Sequence, residues 1–491
     1  MPSAKLGKHM KIAFVASEIT PFAKSGGLAD VAAALPLALH RLGHELRVFM
    51  PLYAGIRARN WPLQTVTSVQ EVPLQLGAHA YRFSLYSTLL PDSTLPVYLI
   101  DCPALFARSS LYTGDADEHR RFLLLQRAAL ESLQRMRFAP DILHCNDWHT
   151  GLLPLMIRTS YGWDRLFQQT RTMLSIHNIG YQGIFHHSTL ADTSIEDIRM
   201  YMRTEDLAMG QINWLKEGIH HANLVSTVSP TYAHEICTPA GGHGLDTILR
   251  SRRDAVSGVL NGVDYDSWNP QTDRLLPARF SADDLQGKRA CKQALLELGQ
   301  LLPDPDKPVI GVVSRLALQK GIDLMMGSLP ELLTTRDFML CVLGSGEPQY
   351  VEFFSRLMQQ FPERVYFRNG YDEPLAHLIE AGSDMFLMPS AYEPCGLNQM
   401  YSLKYGTIPI VRKTGGLADS VQHWDGVHGT GIVFNDYDVP AVNWAINTAL
   451  DLYKDKSVWL RMMRNGMQQN FSWEHQAQEY VRLYERMIHP A

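Results

Sequence analysis

Two heptapeptides near opposite ends of the chain carry the same chemistry. KSGGLAD spans residues 24–30 and KTGGLAD spans 413–419. Glycines after a strand let backbone approach a ligand closely, and a helix start offers unpaired N–H groups to an anion. Lys24 adds a cation to Gly26 and Gly27, a set that suits a phosphate. In isolation, such a pair reads more simply as a tight turn with a solvated lysine.

Other residues point the same way. In VVSRLALQKG, Arg315 and Lys320 precede a predicted helix. A planar guanidinium and a compact ammonium there suit a diphosphate, although a plain surface pair would look the same. In PSAYEPCGLNQM, Glu393 stands before Cys395, Gly396 and Leu397. Its carboxylate either caps a helix dipole or recognises sugar hydroxyls. HCNDWH gathers His144, Asp147 and His149, but two histidines five apart on a strand-to-loop segment make poor ligand geometry, so no metal is expected. His177 and Asn178 end a strand before Gly180 and Gly183, and no carboxylate partner marks His177 as a base.

KIAFVASEI, HELRVFMP, DILHCN, RTMLSIHN and NLVSTVS predict strands, and VAAALPLALHRLG predicts a helix ended by Gly43. Residues 190–220 read as helical. After the proline-rich LLPDPDKP, a second strand–helix series begins with VIGVVS and runs through FMLCVLGSG, VYFRNG, SDMFLMPS and TIPIVR. This predicts an α/β chain of two doubly wound parallel-sheet domains facing a cleft. The expected divisions are a loose tail over 1–9, an N-terminal domain over 10–257, a C-terminal domain over 258–473 and a helix over 474–491 packing back on the first domain.

At 491 residues, two domains fit better than one core. A net charge of -5 argues against a nucleic-acid partner, and no apolar run is long enough to span a membrane. Six scattered cysteines, Cys102, Cys145, Cys237, Cys291, Cys341 and Cys395, suit a reducing, cytoplasmic compartment. The G-x-G-x-x-G fingerprint and the P-loop pattern are both missing, which disfavours nicotinamide and ATPase chemistry.

In order along the chain, KSGGLADV, HCNDWHTGL, HNIGYQG, VLNGVD with WNP, SRLALQKG and PSAYEPCGLNQMYSLKYGTIPIVRKTGGLAD resemble the bacterial glycogen synthase and plant starch synthase family. The resemblance implies two Rossmann-like domains in the GT-B arrangement. It implies transfer of glucose from ADP-glucose to the non-reducing end of an α-1,4-glucan, with retention and without metal or cofactor. By position, Lys24, Gly26 and Gly27 would meet the donor diphosphate, and Arg315 and Lys320 would neutralise the departing nucleotide. Glu393 and the amides of Cys395, Gly396 and Leu397 would hold the donor sugar and phosphate. His177, with Asn178 beside it, would lie at the transferred glucose; Asp147, Asn261 and Tyr112 would line the sugar pocket. Tyr371 would stack on adenine, and Thr414, Gly415 and Gly416 would border the donor. Lys413 is expected to be dispensable.

Three positions depart from patterns in this and related transferases. Ser25 replaces a common Thr or Val, and Ala391 replaces a common Arg. Tyr401, eight residues after Glu393, stands where related retaining transferases carry a second glutamate. Alternatives are a transferase using UDP-glucose or a small-sugar acceptor, a non-catalytic glucan-binding protein, and a phosphorylase, for which no cofactor-lysine motif is present.

Overall fold

A computed structural model of the chain describes residues 9–193 and 200–489. The expected tail falls almost wholly outside these residues. Two compact units result. Described residues up to Val228, Ala233–Gly262 and those from Trp473 onward form the first; Ser229–Tyr232 and Val263–Ser472 form the second. The division thus lies at 262/263 rather than 257/258.

Among the described residues, the first unit holds a ten-stranded sheet. Its strands are β1 (Lys11–Val15), β2 (Glu45–Pro51), β3 (Gln64–Thr65), β4 (Val72–Leu76), β5 (His79–Leu89), β6 (Pro96–Asp101), β7 (Ile142–Asn146) and β8 (Arg171–Ile176). After a separate antiparallel pair, β9 (Ile184–His186) and β10 (Gln211–Asn213), come β11 (Leu224–Thr227) and β12 (Val256–Gly258). The order is β12-β11-β8-β7-β1-β2-β6-β5-β3, with β4 on β5. β1 is central because Ile12, Ala13, Phe14 and Val15 are buried on both faces. From β1 the chain winds one way through β2 and β6, then returns through β7 and β8, so the topological switch lies between β1 and β7.

Two expectations need correction. The sheet is not wholly parallel: β3, β4 and β6 all pair antiparallel with β5. β4 alternates buried and exposed residues, and a two-residue turn with Gly77 at φ +56° returns the chain into β5. Residues 190–220 are not one helical stretch. Gly210, at φ +74°, ends the helix Thr204–Ala208 region, and β10 follows before the helix Trp214–His221; residues 194–199 lie outside the described residues.

The last helix, Trp473–Ile488, buries Trp473, Gln476, Ala477, Tyr480, Tyr484 and Met487, a stripe at helical spacing. It belongs to the first unit and packs on the helix Gly27–Arg41. The Tyr484 hydroxyl lies 2.7 Å from His144 Nδ1, and His144 Nε2 lies 2.6 Å from Ser175 Oγ. This polar chain ties the helix to β7 and β8.

The second unit is built on a six-stranded, all-parallel sheet among the described residues. Its strands are β13 (Val309–Val313), β14 (Met339–Gly344), β15 (Val365–Asn369), β16 (Met385–Met388), β17 (Ile408–Arg412) and β18 (Ile432–Phe434). The order is β15-β14-β13-β16-β17-β18, which puts the switch between β13 and β16.

Candidate active site

A cavity of about 390 Å³ opens in the second unit at that switch. Val313 at the end of β13 and Ser314 after it, Leu343 and Gly344 of β14, and Leu387 and Met388 of β16 form part of its wall. Ligands bind beyond the carboxyl ends of strands at such points because the flanking loops diverge there. Arg315, Lys320, Tyr371, Gly396 and Leu397 all line it. Tyr371 is 79% exposed at the cavity wall.

The cations are held by internal partners. Lys320 Nζ lies 2.6 Å from Glu393 Oε2, which also accepts from Ser390 Oγ at 3.1 Å. Glu393 is buried, so Lys320 and Ser390 compensate its charge. Arg315 donates to Gln319 Oε1 at 3.2 Å, while the Gln319 carbonyl accepts the amide of Ala391 at 2.9 Å. Gln319 therefore links the Arg315 loop to the Glu393 loop. Where an arginine was expected at 391, Arg412 donates to the Ala391 carbonyl at 2.7 Å. Tyr401 stacks on Trp268, centroids 4.0 Å apart and planes 1° apart, and His377 stacks on the same indole with centroids 3.6 Å apart.

Thr414, Gly415 and Gly416 are buried behind the Glu393 loop, not among the cavity's lining residues. Gly415 has φ +43°, and a Cβ there would sit 1.9 Å from the Glu393 carbonyl oxygen. The Gly416 amide donates to that same carbonyl at 3.1 Å, and a Cβ on Gly416 would lie 2.1 Å from the Cys395 carbonyl oxygen. These glycines let two backbone segments touch. Cys395 is buried between them.

In the first unit, the ends of the adjacent strands β1, β7 and β8 lead into Lys24, Gly26 and Gly27, Asp147, and His177 and Asn178, while Tyr112 follows β6 and Asn261 follows β12. Asp147, at φ +53°, accepts the His177 amide at 2.7 Å. Burial pushes its carboxyl up to about 7, against the lowering effect of the His177 and Asn178 amides. His177 Nε2 lies 3.0 Å from Asn146 Oδ1, and burial pushes the imidazole down to about 4, so it is neutral near pH 7. Tyr112 stacks on His149 at 4.9 Å and shares a 2.8 Å hydrogen bond with Ser17 Oγ. A chain of Arg108 with Asp115 and Asp117, and of Arg121 with Glu118 and Thr113, braces the Tyr112 loop. Asn261 is buried, and its Oδ1 has no hydrogen-bond partner among the described residues, an acceptor suited to a ligand hydroxyl.

The first glycine pair is packed quite differently. A Cβ on Gly27 would meet nothing within 4 Å, and one on Gly26 would meet only Glu18 Oε1, at 3.9 Å. Lys24 Nζ pairs with Asp30 at 2.7 Å, and Glu18 accepts the Ser25 amide. Sequence reasoning passed over Glu18, Gln319, Ser390 and Asp30. Only Ser390, three residues before Glu393, and Asp30, on the first turn after Gly27, had a spacing that signalled them. The two histidines and the aspartate of HCNDWH go to separate partners: His144 to Tyr484 and Ser175, Asp147 to the His177 amide, His149 to the Tyr112 ring.

Residues 11–251 match the starch synthase catalytic domain, and residues 297–465 match glycosyl transferases group 1. The chain is 45% identical over 485 residues to a glycogen synthase of Koribacter versatilis (strain Ellin345), covering 97% of this chain and 98% of that one. It is likewise 45% identical to a glycogen synthase of Anaeromyxobacter sp. (strain Fw109-5), covering 98% and 100%. The catalytic domain of starch synthase IV from Arabidopsis thaliana, bound to ADP and acarbose, is similar with a TM-score of 0.87 and 35% identity, over 98% of this chain and 100% of that one. A sucrose-phosphate synthase from Thermosynechococcus elongatus, at 18% identity and a TM-score of 0.60 over 98% and 99%, shares the fold alone. The chain therefore belongs to the glycogen and starch synthase family, hexosyltransferases of the two-domain α/β GT-B fold.

Proposed function

We propose that the protein transfers glucose from ADP-glucose to the non-reducing end of an α-1,4-glucan, with retention at the anomeric carbon. The observation that carries this reading is the switch-point cavity of the second unit, where Arg315, Lys320 and Tyr371 meet. Tyr371 stacks on the adenine, and the two cations take the diphosphate. The Arabidopsis relative is bound to ADP, which supports an adenine donor over a uracil one.

As the glycosidic bond breaks, glucose gains oxocarbenium character and the diphosphate gathers negative charge. Arg315, Lys320 and Lys24, with the amides of Cys395, Gly396 and Leu397, stabilise that charge in place of a metal ion. Lys320 shares its ammonium between Glu393 and the diphosphate, and Glu393 positions the donor sugar. Neutral His177 lies at the transferred glucose; Asp147 holds its backbone, which keeps the His177 carbonyl aimed at the anomeric region. Asn261, Asn178 and Tyr112 complete the sugar contacts. Thr414, Gly415 and Gly416 serve by pressing the Glu393–Cys395 backbone into place. The acceptor hydroxyl attacks from the face the diphosphate leaves, which takes its proton.

Donor competition tests this. Wild-type protein should incorporate glucose into glycogen from ADP-glucose in preference to UDP-glucose, and Tyr371→Ala should raise KM for ADP-glucose with little change in melting temperature. Preference for UDP-glucose, or an unaffected Tyr371→Ala variant, would refute the donor assignment.

A further inference from the structure

Glu18 follows β1, beside the strand ends that carry Asp147 and His177. It is 2% exposed, yet it carries a carboxylate. Its Oε2 accepts the Ser25 amide at 2.5 Å, and the Ser25 hydroxyl and Gly26 amide also donate to it. The Ser25 and Gly26 N–H groups of this loop are thus turned to the protein's own carboxylate.

Lys24 is thereby gripped from two sides. Its ammonium pairs with Asp30 at 2.7 Å, and Asp30 also accepts from Thr20 Oγ1 at 3.1 Å. The Lys24 side chain is 53% exposed, and an exposed pair restrains a long side chain weakly. The charge-assisted bond from the Ser25 amide, next to Lys24, to the buried Glu18 carboxylate is the stronger restraint. Burial raises the Glu18 carboxyl above its usual range, nearby Asp30 adds to the rise, and the Ser25 and Gly26 donors oppose both. Glu18 also bears electrostatically on Asp147, Tyr112 and Tyr53. A buried carboxylate amid other acids is a costly way to shape a loop if shape alone were needed.

We propose that Glu18 is a positioning residue for the transfer reaction, which fixes the backbone of residues 25–26 and so aims Lys24. The inference rests on the functional reading above. Glutamine at this position has nearly the same size and keeps one acceptor oxygen, but it loses the negative charge and replaces the second oxygen by an NH2 donor, so the bonds to the loop weaken.

The test is a double-variant cycle in the glycogen and ADP-glucose assay, with melting temperatures recorded alongside. Glu18→Gln should lower kcat roughly 10- to 100-fold, the scale of an Ångström-sized misplacement, and leave donor KM within about twofold. In a Lys24→Ala background the same change should cost less than about threefold, because the group it aims is gone. A merely structural residue would give multiplying losses. Ser25→Ala, which removes one donor to the carboxylate, should show a smaller loss that likewise vanishes without Lys24, and it serves if Glu18→Gln does not fold. Wild-type kcat in Glu18→Gln, or multiplying losses in the double variant, would overturn the inference alone. Failure of the wild-type protein to transfer glucose would overturn the functional reading and this inference with it.

Discussion

Replacing Gly415 by alanine would set a Cβ 1.9 Å from the Glu393 carbonyl oxygen, at a residue whose φ is +43°. Left-handed backbone costs a non-glycine residue about 1–2 kcal/mol. Forcing two backbone segments apart adds roughly 1–3 kcal/mol. A loss of about 3 kcal/mol is the middle of that range, and in a unit of roughly 200 residues it lowers the melting temperature by about 6–12 °C. Gly26 occupies the matching position in the first heptapeptide, at φ -156°, where a Cβ would meet only Glu18 Oε1 at 3.9 Å; its neighbour Gly27 begins a helix, and a Cβ there meets nothing within 4 Å. Alanine there should be neutral or stabilising by up to about 1 kcal/mol. Differential scanning fluorimetry of both variants, with glucose transfer measured on each, separates the two roles. Gly415→Ala should melt early; Gly27→Ala should melt like wild type and still lose turnover, because the added methyl occupies the open side of the loop. Equal melting temperatures in the two variants would refute the assignment of the second glycine pair to packing.

Lys24→Ala should reduce kcat by roughly two orders of magnitude, whereas Lys413→Ala, whose exposed side chain follows an amide bonded to Phe434, should transfer glucose at near the wild-type rate. Lys320→Ala leaves the buried Glu393 without its cation, so it should lower both turnover and stability, the latter by about 3 kcal/mol in chemical denaturation. Burial holds His144, His149 and His177 down to about 3, 3 and 4. Their unfolded values lie near 6.5, so between about pH 6.5 and pH 4 the unfolded chain binds protons that the folded chain does not, and stability falls on acidification. The raised carboxyls of Asp147, Glu18 and Glu380 oppose this, but His44 and His220 are lowered by burial as well, so the histidines outnumber them. His144→Gln should therefore flatten the fall by about 1.4 kcal/mol per pH unit, read from denaturant midpoints at pH 6 and pH 4.5.

The regular parts of the fold are legible in the sequence because buried parallel strands are apolar on both faces. KIAFV, DILHCN and VIGVVS stand out for that reason. The antiparallel edge is a different case. Its alternation is visible in VPLQL, but a search tuned to continuous apolar runs passes over it. Arg315, Lys320 and Tyr371 are marked by motifs, and the strand-end rule puts them at one switch point. What pairs with what is harder. Lys320 and Glu393 meet across 73 residues, and nothing local announces the contact. Glu18 is harder still: one glutamate in an apolar run carries no spacing signal, and only the fold brings Ser25 and Gly26 onto it. The two heptapeptides look alike in sequence, yet one pair of glycines faces open space and the other admits backbone. Only the neighbours distinguish them.

The central claim is tested most directly by incubating the purified protein with ADP-glucose and glycogen in EDTA, and following ADP release together with the anomeric form of the new linkage by NMR. The account predicts stoichiometric ADP release, new α-1,4 linkages only, and a loss of both signals of at least about 100-fold in Arg315→Ala. Transfer that needs a divalent metal, a β linkage, or undiminished transfer by Arg315→Ala would contradict it.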